Sequence, residues 1–305
     1  MHAGLIGRML IERLAGIPVT VDLASEYRYA PPVTVGHTIA VPVSQSGETS
    51  DTLQALRLAH QRGLSSLGII NVVGAAIARE SDAVMYTGAG PEIAVATTKG
   101  YASQVTVLAM LAIKLGYLRG KINADRTRAL CSEISSTLPR HISGIIARGD
   151  EIDTLAQKLY THNDIFFIGR GADAVAAPEC SLKLKEISYI HSEAYAAGEL
   201  KHGTLSLVTD GTPVIALATE PGYYDKMTGN IREVRSRGGY VILVCAPDFP
   251  SPEEYADDVF VLPAADPLLS PLQSVVFSQL LAYSTALLRG CDVDHPRNLA
   301  KSVTV

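Results

Sequence analysis

The sequence predicts an α/β fold with two tandem domains, each a parallel sheet flanked by helices in a flavodoxin-like three-layer sandwich. Short apolar runs alternate with longer helical patterns along the 305 residues, which is typical of parallel sheets. Of the residues, 47% are hydrophobic but only 6% aromatic, as in buried parallel strands. An internal repeat indicates two copies of one fold, because the apolar run at 39–43 lines up with the run at 214–218.

The periodicity of the apolar residues predicts the helices and strands of each copy. The first has predicted helices over 5–15, 51–62 and 97–118 and predicted strands over 19–23, 38–43, 67–72 and 83–86. Two helical stretches, 128–147 and 150–161, lead to the second copy. The second has predicted strands over 165–169, 214–218, 240–246 and 259–262 and helices over 173–190 and 271–289.

These patterns divide the chain into four parts. Residues 1–122 form a first domain, 123–154 a helical linker, 155–290 a second domain and 291–305 a C-terminal tail. The tail belongs to neither copy of the repeat. Because it has a single proline and ends in residues that favour strands, we expect it to pack onto the molecule rather than to be disordered.

Charge and cysteine usage exclude several classes of partner. The formal net charge is -5 and basic residues are not clustered, so we expect neither nucleic acid nor an anionic membrane as a partner. No apolar run reaches the length of a membrane span, and the first residues lack the pattern of a secretory signal. The four cysteines form no CxxC pair, which predicts reduced thiols in a cytoplasmic protein.

The first candidate site is the loop Ser44-Gln45-Ser46-Gly47-Glu48-Thr49, between a predicted strand and a predicted helix. Its hydroxyls, its amide and the backbone N–H groups of a helix start suit an anion. Because no Lys or Arg lies in the loop, we expect the phosphate of a small molecule. An ordinary N-cap is the alternative, but it would explain only one hydroxyl.

The second copy replaces this loop with Thr219-Glu220-Pro221-Gly222. Two hydroxyls are lost and a carboxylate is gained, so a phosphate would be repelled there. We therefore expect the first copy to bind phosphate and the second to supply other groups.

The second candidate site begins on the helix at Lys183 and Glu186, which are three residues apart and so share a helix face. The following segment packs further titratable groups around two glycines, which resembles an active-site wall; these groups are Glu193, Glu199, Lys201 and His202. A solvated amphipathic helix is the alternative. The histidines have no metal-ligand spacing, so no metal is predicted.

The tail supplies the third candidate, Lys301. A lysine amine placed in a partly buried site can form an imine with a carbonyl. Composition alone makes this the less favoured reading of the tail.

Together the three stretches resemble the isomerase part of glucosamine-6-phosphate synthases (glutamine–fructose-6-phosphate aminotransferases, isomerizing), which consists of two sugar-isomerase (SIS) domains and a catalytic tail. The resemblance covers essentially the whole chain. The phosphate loop is shared by SIS domains in general. The run 183–203 and the tail 296–305 are specific to the synthase, and Ala94-Val95-Ala96-Thr97-Thr98-Lys99 matches a loop that lines the sugar site.

The resemblance implies a role for each matching residue. Ser44, Gln45, Ser46 and Thr49 would hold the sugar phosphate, and Val95, Thr98 and the backbone of Ala300 would line the sugar site. Glu186 would move the proton between C1 and C2 with Lys183 beside it, His202 would open the fructose ring from the neighbouring subunit of a homodimer, Lys301 would form the imine, and Arg297 would anchor the tail. The reaction would convert fructose 6-phosphate to glucosamine 6-phosphate without a cofactor.

Two departures from the family pattern shape the expectation. The family has an N-terminal glutamine-hydrolysing domain, and a strand with a Cys-Gly-Thr-Ser loop before the His-Ala-Gly-Leu found at 2–5. We therefore expect a fragment or a truncated product, which would use free ammonia or ammonia from a partner. A SIS-type glucosamine-6-phosphate deaminase, a ketose–aldose isomerase and a non-catalytic sugar-phosphate sensor remain as alternatives.

Overall fold

The computed structural model describes residues 1–301 of the chain. It divides into two compact units. One contains Ala3–Thr127 with Met1 and the tail from Asn298; the other contains Arg128–Arg297 with His2. Each holds a parallel sheet, so the predicted α/β class is confirmed. The four-part division of the chain stays a prediction.

The first unit follows the predicted alternation closely. Its elements are α1 (His2–Ala15), α2 (Ala24–Tyr27), β1 (Ile39–Ala40), β2 (Val43–Ser44), α3 (Ser50–Gln61), β3 (Ser65–Ile70), α4 (Ala76–Glu80), β4 (Ala83–Tyr86) and α5 (Lys99–Leu118). β1 and β2 pair with the same edge of β3, and β4 pairs with the other edge, all in parallel.

Two strand predictions in this unit need correction. The strand predicted over 19–23 is wrong, because the segment is not paired to the sheet and the backbone N–H of Val19 donates to the side chain of Glu12 at 3.1 Å. The strand predicted over 38–43 is two short strands. Pro42 lies between them and has no N–H to give to the ladder, although its carbonyl accepts the N–H of Ile69 at 2.9 Å.

The outer edge of β1 and β2 is not paired with another described strand. Ile39 on β1 is 62% exposed, whereas Val214, its counterpart in the internal repeat, is fully buried in the second unit. The two copies of the fold therefore differ in how their equivalent strands are covered.

Helices α1 and α5 of the first unit approach each other closely through glycines. A Cβ at Gly7 would lie 2.8 Å from the side chain of Leu108, and one at Gly116 would lie 2.5 Å from the carbonyl of Leu14. Among the described helices, α5 is the one with the length and composition of a membrane span. Because Tyr101 and Leu108 belong to the buried core, the helix fits the role of a core helix.

The second unit is larger. Helix α6 (Ala124–Ser132) begins in the first unit and ends in the second. The further elements of the second unit are a π-helical turn (Glu133–Thr137), α7 (Leu138–Ile146), α8 (Gly149–Leu159), β5 (Asp164–Gly169), α9 (Ala172–Ser188), β6 (His191–Ala196), β7 (Pro213–Ala218), α10 (Tyr224–Arg235), β8 (Tyr240–Cys245), β9 (Asp258–Val261) and α11 (Ser270–Leu288). Short 3-10 turns lie at Leu200–His202, Thr204–Leu207, Pro221–Tyr223 and Pro252–Glu254.

The sheet of the second unit has the order β6-β5-β7-β8-β9, and all its strands are parallel. Every residue of the central strand β7 is buried. Helices α9 and α11 pack against each other, and α10 contacts β7 and β8. Strand β6 was not predicted, because its sequence, His-Ser-Glu-Ala-Tyr-Ala, mixes polar residues into an edge strand and so lacks an apolar run.

Candidate active site

The hydroxyl-rich loop follows β2 and leads into α3, as the sequence predicts. Ser44 is buried, Gln45 and Ser46 are half-buried, and Thr49 is exposed. Within the loop, the N–H of Gly47 donates to the hydroxyl of Ser44 at 3.0 Å, and the N–H of Glu48 donates to the hydroxyl of Ser46 at 3.2 Å. The loop therefore has a defined shape that its own side chains stabilise.

Gly47 makes this shape possible. Its φ is +68°, and a Cβ there would lie 2.5 Å from the Cβ of Ala75 and 2.8 Å from the side chain of Ile70. Its carbonyl accepts the N–H of Ile77 at 3.0 Å, and Glu48 accepts the N–H of Ala76 at 2.8 Å. Both the backbone conformation and the close approach require glycine.

The start of α3 answers the question whether the loop is only a helix cap. Thr49 occupies the N-cap position but makes no side-chain hydrogen bond to the helix. Its hydroxyl therefore does not perform the capping role that the alternative interpretation required. A helix N-terminus beside several hydroxyls is suited to an anion.

The equivalent place in the second unit is occupied by carboxylates. Glu220 accepts the N–H of Ala172, at the start of α9, at 2.9 Å, and Asp173 accepts both the N–H and the hydroxyl of Thr219, at 2.6 Å and 2.7 Å. Burial raises the pKa of Asp173 to about 6, against the opposing hydrogen bonds from Thr219. Acidic groups of the protein itself thus accept the hydrogen bonds available at the loop that replaces the hydroxyl-rich loop.

The loop that precedes α5 carries two predicted sugar-site residues. Val95 is half-buried, and Thr98 is exposed at the N-cap position of α5. The N–H of Thr98 donates to the carboxylate of Glu92 at 3.0 Å. This loop belongs to the same unit as the phosphate loop.

The tail brings Lys301 to that loop. The Lys301 ammonium lies 2.8 Å from the Glu92 carboxylate and 3.4 Å from the hydroxyl of Thr97. The lysine side chain is 25% exposed, so it is partly buried, as imine chemistry requires. Ala300, the other predicted tail residue, is exposed. The tail residues after Lys301, at 302–305, lie outside the described residues.

Arg297, also in the tail, belongs to the second unit. Its guanidinium lies 4.2 Å from the centre of the Tyr189 ring, and the backbone N–H of Arg297 donates to the Tyr189 hydroxyl at 2.8 Å. These contacts fit the expected anchoring role.

The second unit places Lys183 and Glu186 together on α9. The Lys183 ammonium lies 2.5 Å from the Glu186 carboxylate and 3.5 Å from that of Glu179. Glu179 also contacts the imidazole of His2 at 2.7 Å. The side chain of Lys183 is 4% exposed and that of Glu186 is 23% exposed. Glu186 thus combines an accessible carboxylate with a fixed, buried counter-charge, which an ordinary solvated helix face would not have.

His202 lies at the end of the 3-10 turn Leu200–His202, next to Gly203 with a φ of +142°. Its side chain is exposed, and no described side chain hydrogen-bonds to its imidazole. Among residues 1–301, no group of three His, Cys, Asp or Glu side chains is arranged to hold a metal ion.

Two parallel-sheet units, one with a hydroxyl-rich loop at a strand–helix junction, define a class of α/β proteins with tandem parallel sheets. A family model described as SIS domain matches residues 1–114 and 158–289. The chain belongs to the SIS domain family.

Comparison with individual relatives identifies a particular group within this family. The chain is 54% identical over 304 residues to the glutamine–fructose-6-phosphate aminotransferase (isomerizing) of Symbiobacterium thermophilum and 48% identical to that of Methanosarcina mazei. The matches cover 100% of this chain but 50% and 49% of those relatives. The chain thus spans about half the length of the curated relatives it matches and corresponds to their isomerase part.

Solved structures of other proteins have the same fold. The C-terminal domain of glucosamine-fructose-6-phosphate aminotransferase from Francisella tularensis has a TM-score of 0.92 and 36% identity, covering 97% of this chain and 84% of that one. A structure titled glucosamine-6-phosphate deaminase from Thermotoga maritima has a TM-score of 0.79 and 23% identity, covering 99% and 86%. At that identity the second likeness shows the fold alone.

Sequence reasoning missed two acidic residues, Glu92 and Glu179. Glu179 was detectable, because it lies four residues before Lys183 and so shares its helix face. Glu92 had no comparable signal, because its partner Lys301 is distant in the sequence.

Proposed function

We propose that the chain converts fructose 6-phosphate to glucosamine 6-phosphate, with ammonia as the nitrogen donor. The observation that carries the proposal is the partly buried Lys301 in the unit that holds the phosphate loop. A sugar-phosphate sensor needs the loop but has no use for a partly desolvated amine. The names of the relatives, which include both the amino transfer and the isomerisation, support the same reaction.

In this reaction the phosphate loop provides binding energy away from the reacting carbons. Ser44, Gln45, Ser46 and Thr49 hold the phosphate, and Val95, Thr98 and the backbone of Ala300 line the sugar site. Fixing the phosphate orients C1 and C2 of the open-chain sugar, so the binding energy of the phosphate contributes to the rate of the reaction.

Lys301 activates the ketone. Its nitrogen forms a bond to C2, and the carbonyl oxygen leaves as water. Ammonia then adds to C2 and displaces the lysine nitrogen, which leaves a C2 imine of the sugar and regenerates the lysine. The net change at C2 is the exchange of one oxygen for one NH group, with release of one water.

Glu186 completes the isomerisation. Its carboxylate takes a proton from C1 and returns one to C2, while the C1 hydroxyl proton passes to the imine nitrogen, so that C2 becomes an amine-bearing carbon and C1 an aldehyde. Lys183 keeps this carboxylate in place, and Glu179 balances the lysine charge. His202 opens the sugar ring at the start of the sequence.

We extend the proposal to the assembly and its location. The chain acts as a homodimer in the cytoplasm, and His202 serves the site of the partner subunit. Support comes from the exposed imidazole of His202 and from the four cysteines, all free, of which Cys180 and Cys245 are buried. Ammonia would come from a glutaminase domain or from a separate protein.

The test is hexosamine phosphate formation by the purified chain with fructose 6-phosphate, with ammonium or glutamine as the nitrogen source. We expect product with ammonium, and none when Lys301→Ala replaces the wild type. Lys114→Ala is the matched control, because Lys114 is an exposed lysine of α5 in the same unit. A folded wild-type chain that binds the sugar phosphate but forms no product would favour a sensor.

A further inference from the structure

Lys301 has a specific acidic partner that the sequence did not indicate. Its ammonium donates to Oε2 of Glu92 at 2.8 Å. The Glu92 side chain is only 4% exposed, whereas that of Lys301 is 25% exposed. The carboxylate is therefore the buried member of the pair, and the amine lies on its solvent side.

The other oxygen of Glu92 is held by the backbone. Oε1 accepts the N–H groups of Thr98 and Gly100, each at 3.0 Å, where α5 begins. A Cβ at Gly100 would lie 2.8 Å from Oε2 of Glu92, so glycine is needed there for the carboxylate to approach. Burial alone would raise the pKa of Glu92, but the hydrogen bonds from Lys301, Gly100 and Thr98 outweigh it and hold the pKa below its usual value.

We propose that Glu92 is the positioning residue for Lys301 and the counter-ion of the cation that Lys301 forms with the substrate. This inference rests on the proposed function. One carboxylate oxygen is fixed by the backbone, and the other fixes the lysine nitrogen. The lysine nitrogen of the tail is thereby hydrogen-bonded to a residue of the unit that carries the phosphate loop.

The charge balance of the step explains why a carboxylate is suitable. When the Lys301 ammonium condenses with the C2 carbonyl, an N–C2 bond forms and the C2–O bond breaks. Oxygen leaves as water with two of the three ammonium protons, and the third stays on the iminium nitrogen. The amine loses one of these protons before it attacks, and the positive charge returns to the nitrogen when water leaves, so Glu92 stabilises the cation before and after the condensation.

A purely structural role is the competing explanation, since Glu92 accepts hydrogen bonds at the N-terminus of α5. The variant Glu92→Gln separates the two roles. Its amide oxygen can still accept the N–H groups of Thr98 and Gly100, but it has no charge to pair with Lys301. Glu92→Asp keeps the charge on a shorter side chain.

The experiment measures steady-state kinetics with ammonium and the amount of reduced lysine adduct formed with fructose 6-phosphate and borohydride. For Glu92→Gln we expect kcat and the adduct at Lys301 to fall by about 10- to 100-fold, as for loss of a charged hydrogen bond. The KM for fructose 6-phosphate should change little, because the phosphate loop is untouched. Glu92→Asp should recover part of the activity.

Glu12→Gln is the matched control. Glu12 also accepts a backbone N–H, from Val19, and pairs with a cation, Arg8, but it lies on α1 apart from the candidate site. We expect wild-type kinetics from it. A Glu92→Gln enzyme with wild-type kcat and adduct would overturn the inference and leave Glu92 as a helix cap.

A second measurement keeps the inference independent of the proposed reaction. Acetic anhydride labelling of the full chain compares Lys301 with the exposed Lys114 as internal reference. An ammonium hydrogen-bonded to a carboxylate is a poor nucleophile, so Glu92→Gln should speed Lys301 labelling several-fold, by about the loss of one charged hydrogen bond. The substrate adduct responds in the opposite direction, because it also needs a positioned nitrogen and a stabilised iminium, whereas the anhydride gives a neutral amide. Unchanged labelling would overturn the positioning role. Absence of product and adduct in the wild type, with accelerated labelling in the variant, would overturn only the proposed function.

Discussion

The ammonium of Lys183 lies 2.5 Å from the carboxylate of Glu186, one turn further along α9, and 3.5 Å from Glu179, one turn back. The side chains of Lys183 and Glu179 are 4% and 5% exposed. One buried ammonium thus stands between two carboxylates, and its loss would leave the buried Glu179 with only the imidazole of His2, at 2.7 Å, beside it.

Replacing Lys183 with methionine should therefore destabilise the protein strongly. We expect Lys183→Met to lower the free energy of unfolding by about 3 kcal/mol, the lower end of the cost of breaking a buried pair, because His2 stays beside Glu179. Urea denaturation followed by circular dichroism measures it.

Lys158→Met is the control for this prediction. Lys158 also pairs with a carboxylate, Asp258, at 2.6 Å, but its side chain is 43% exposed, so the loss should be about 0–1 kcal/mol. Equal losses in the two variants would contradict the structural account of the α9 cluster.

Glu186→Gln should separate chemistry from substrate binding. The substitution keeps the shape of the side chain but removes the proton acceptor, so we expect kcat to fall by about 10²- to 10⁴-fold. The KM for fructose 6-phosphate should change much less, because the phosphate loop is not altered. Product formation with ammonium measures both quantities. A variant with wild-type kcat would exclude Glu186 as the proton-transfer group.

Gly47→Ala should disrupt the phosphate loop. The new Cβ would lie 2.5 Å from that of Ala75, at a φ of +68°, so both strain and collision act on the loop. We expect loss of fructose 6-phosphate binding in calorimetry, together with lower stability.

Gly36→Ala separates these two effects, because Gly36 has a φ of +62° but nothing within 4 Å of its Cβ position. It should show only the conformational cost, about 1–2 kcal/mol, with substrate binding retained. If both variants bind fructose 6-phosphate normally, the close approach at Gly47 is not needed for the site.

Asp173 should make stability depend on pH. Burial raises its pKa from 3.8 to about 6, so between these values the folded state binds a proton that the unfolded state has released. Its contribution is fully present below about pH 4 and is lost as the pH rises through about 6. The shift corresponds to about 3 kcal/mol at 1.36 kcal/mol per unit.

Asp173→Asn, which cannot titrate, isolates this contribution. Urea denaturation at several pH values between 4 and 7 gives the free energy of unfolding of both proteins. We expect the wild-type value minus the variant value to fall across this window. Parallel pH curves would show that Asp173 does not titrate between the two pKa values.

Ile39→Lys should reduce self-association. Ile39 is 62% exposed on β1, whose outer edge has no described strand beside it, and such edges promote aggregation that a lysine suppresses. Light scattering at increasing protein concentration measures the effect. Val33→Lys, at a valine that is 90% exposed outside the strands, should have a smaller effect because no strand edge is involved.

Local sequence patterns were sufficient to predict much of the secondary structure of this protein. The alternation of strands and helices predicted both parallel sheets, because buried strands and amphipathic helices each carry a periodicity of their own. The prediction of a strand over 19–23 was wrong because a short apolar stretch does not specify whether a neighbouring strand is available to pair with it. Strand β6 was missed because an edge strand can tolerate polar residues.

The sequence by itself determined which residues share a local surface: the hydroxyls around Gly47, and Lys183 with Glu186 on one helical turn. Only the tertiary structure decided that Glu92 holds Lys301, 209 residues further along the chain. It also decided that Glu220 accepts a backbone N–H at the start of α9 and that Asp173 accepts two hydrogen bonds from Thr219. Spacing along the chain encodes which face of a helix or loop a residue lies on, whereas contacts between distant segments depend on the path of the whole backbone.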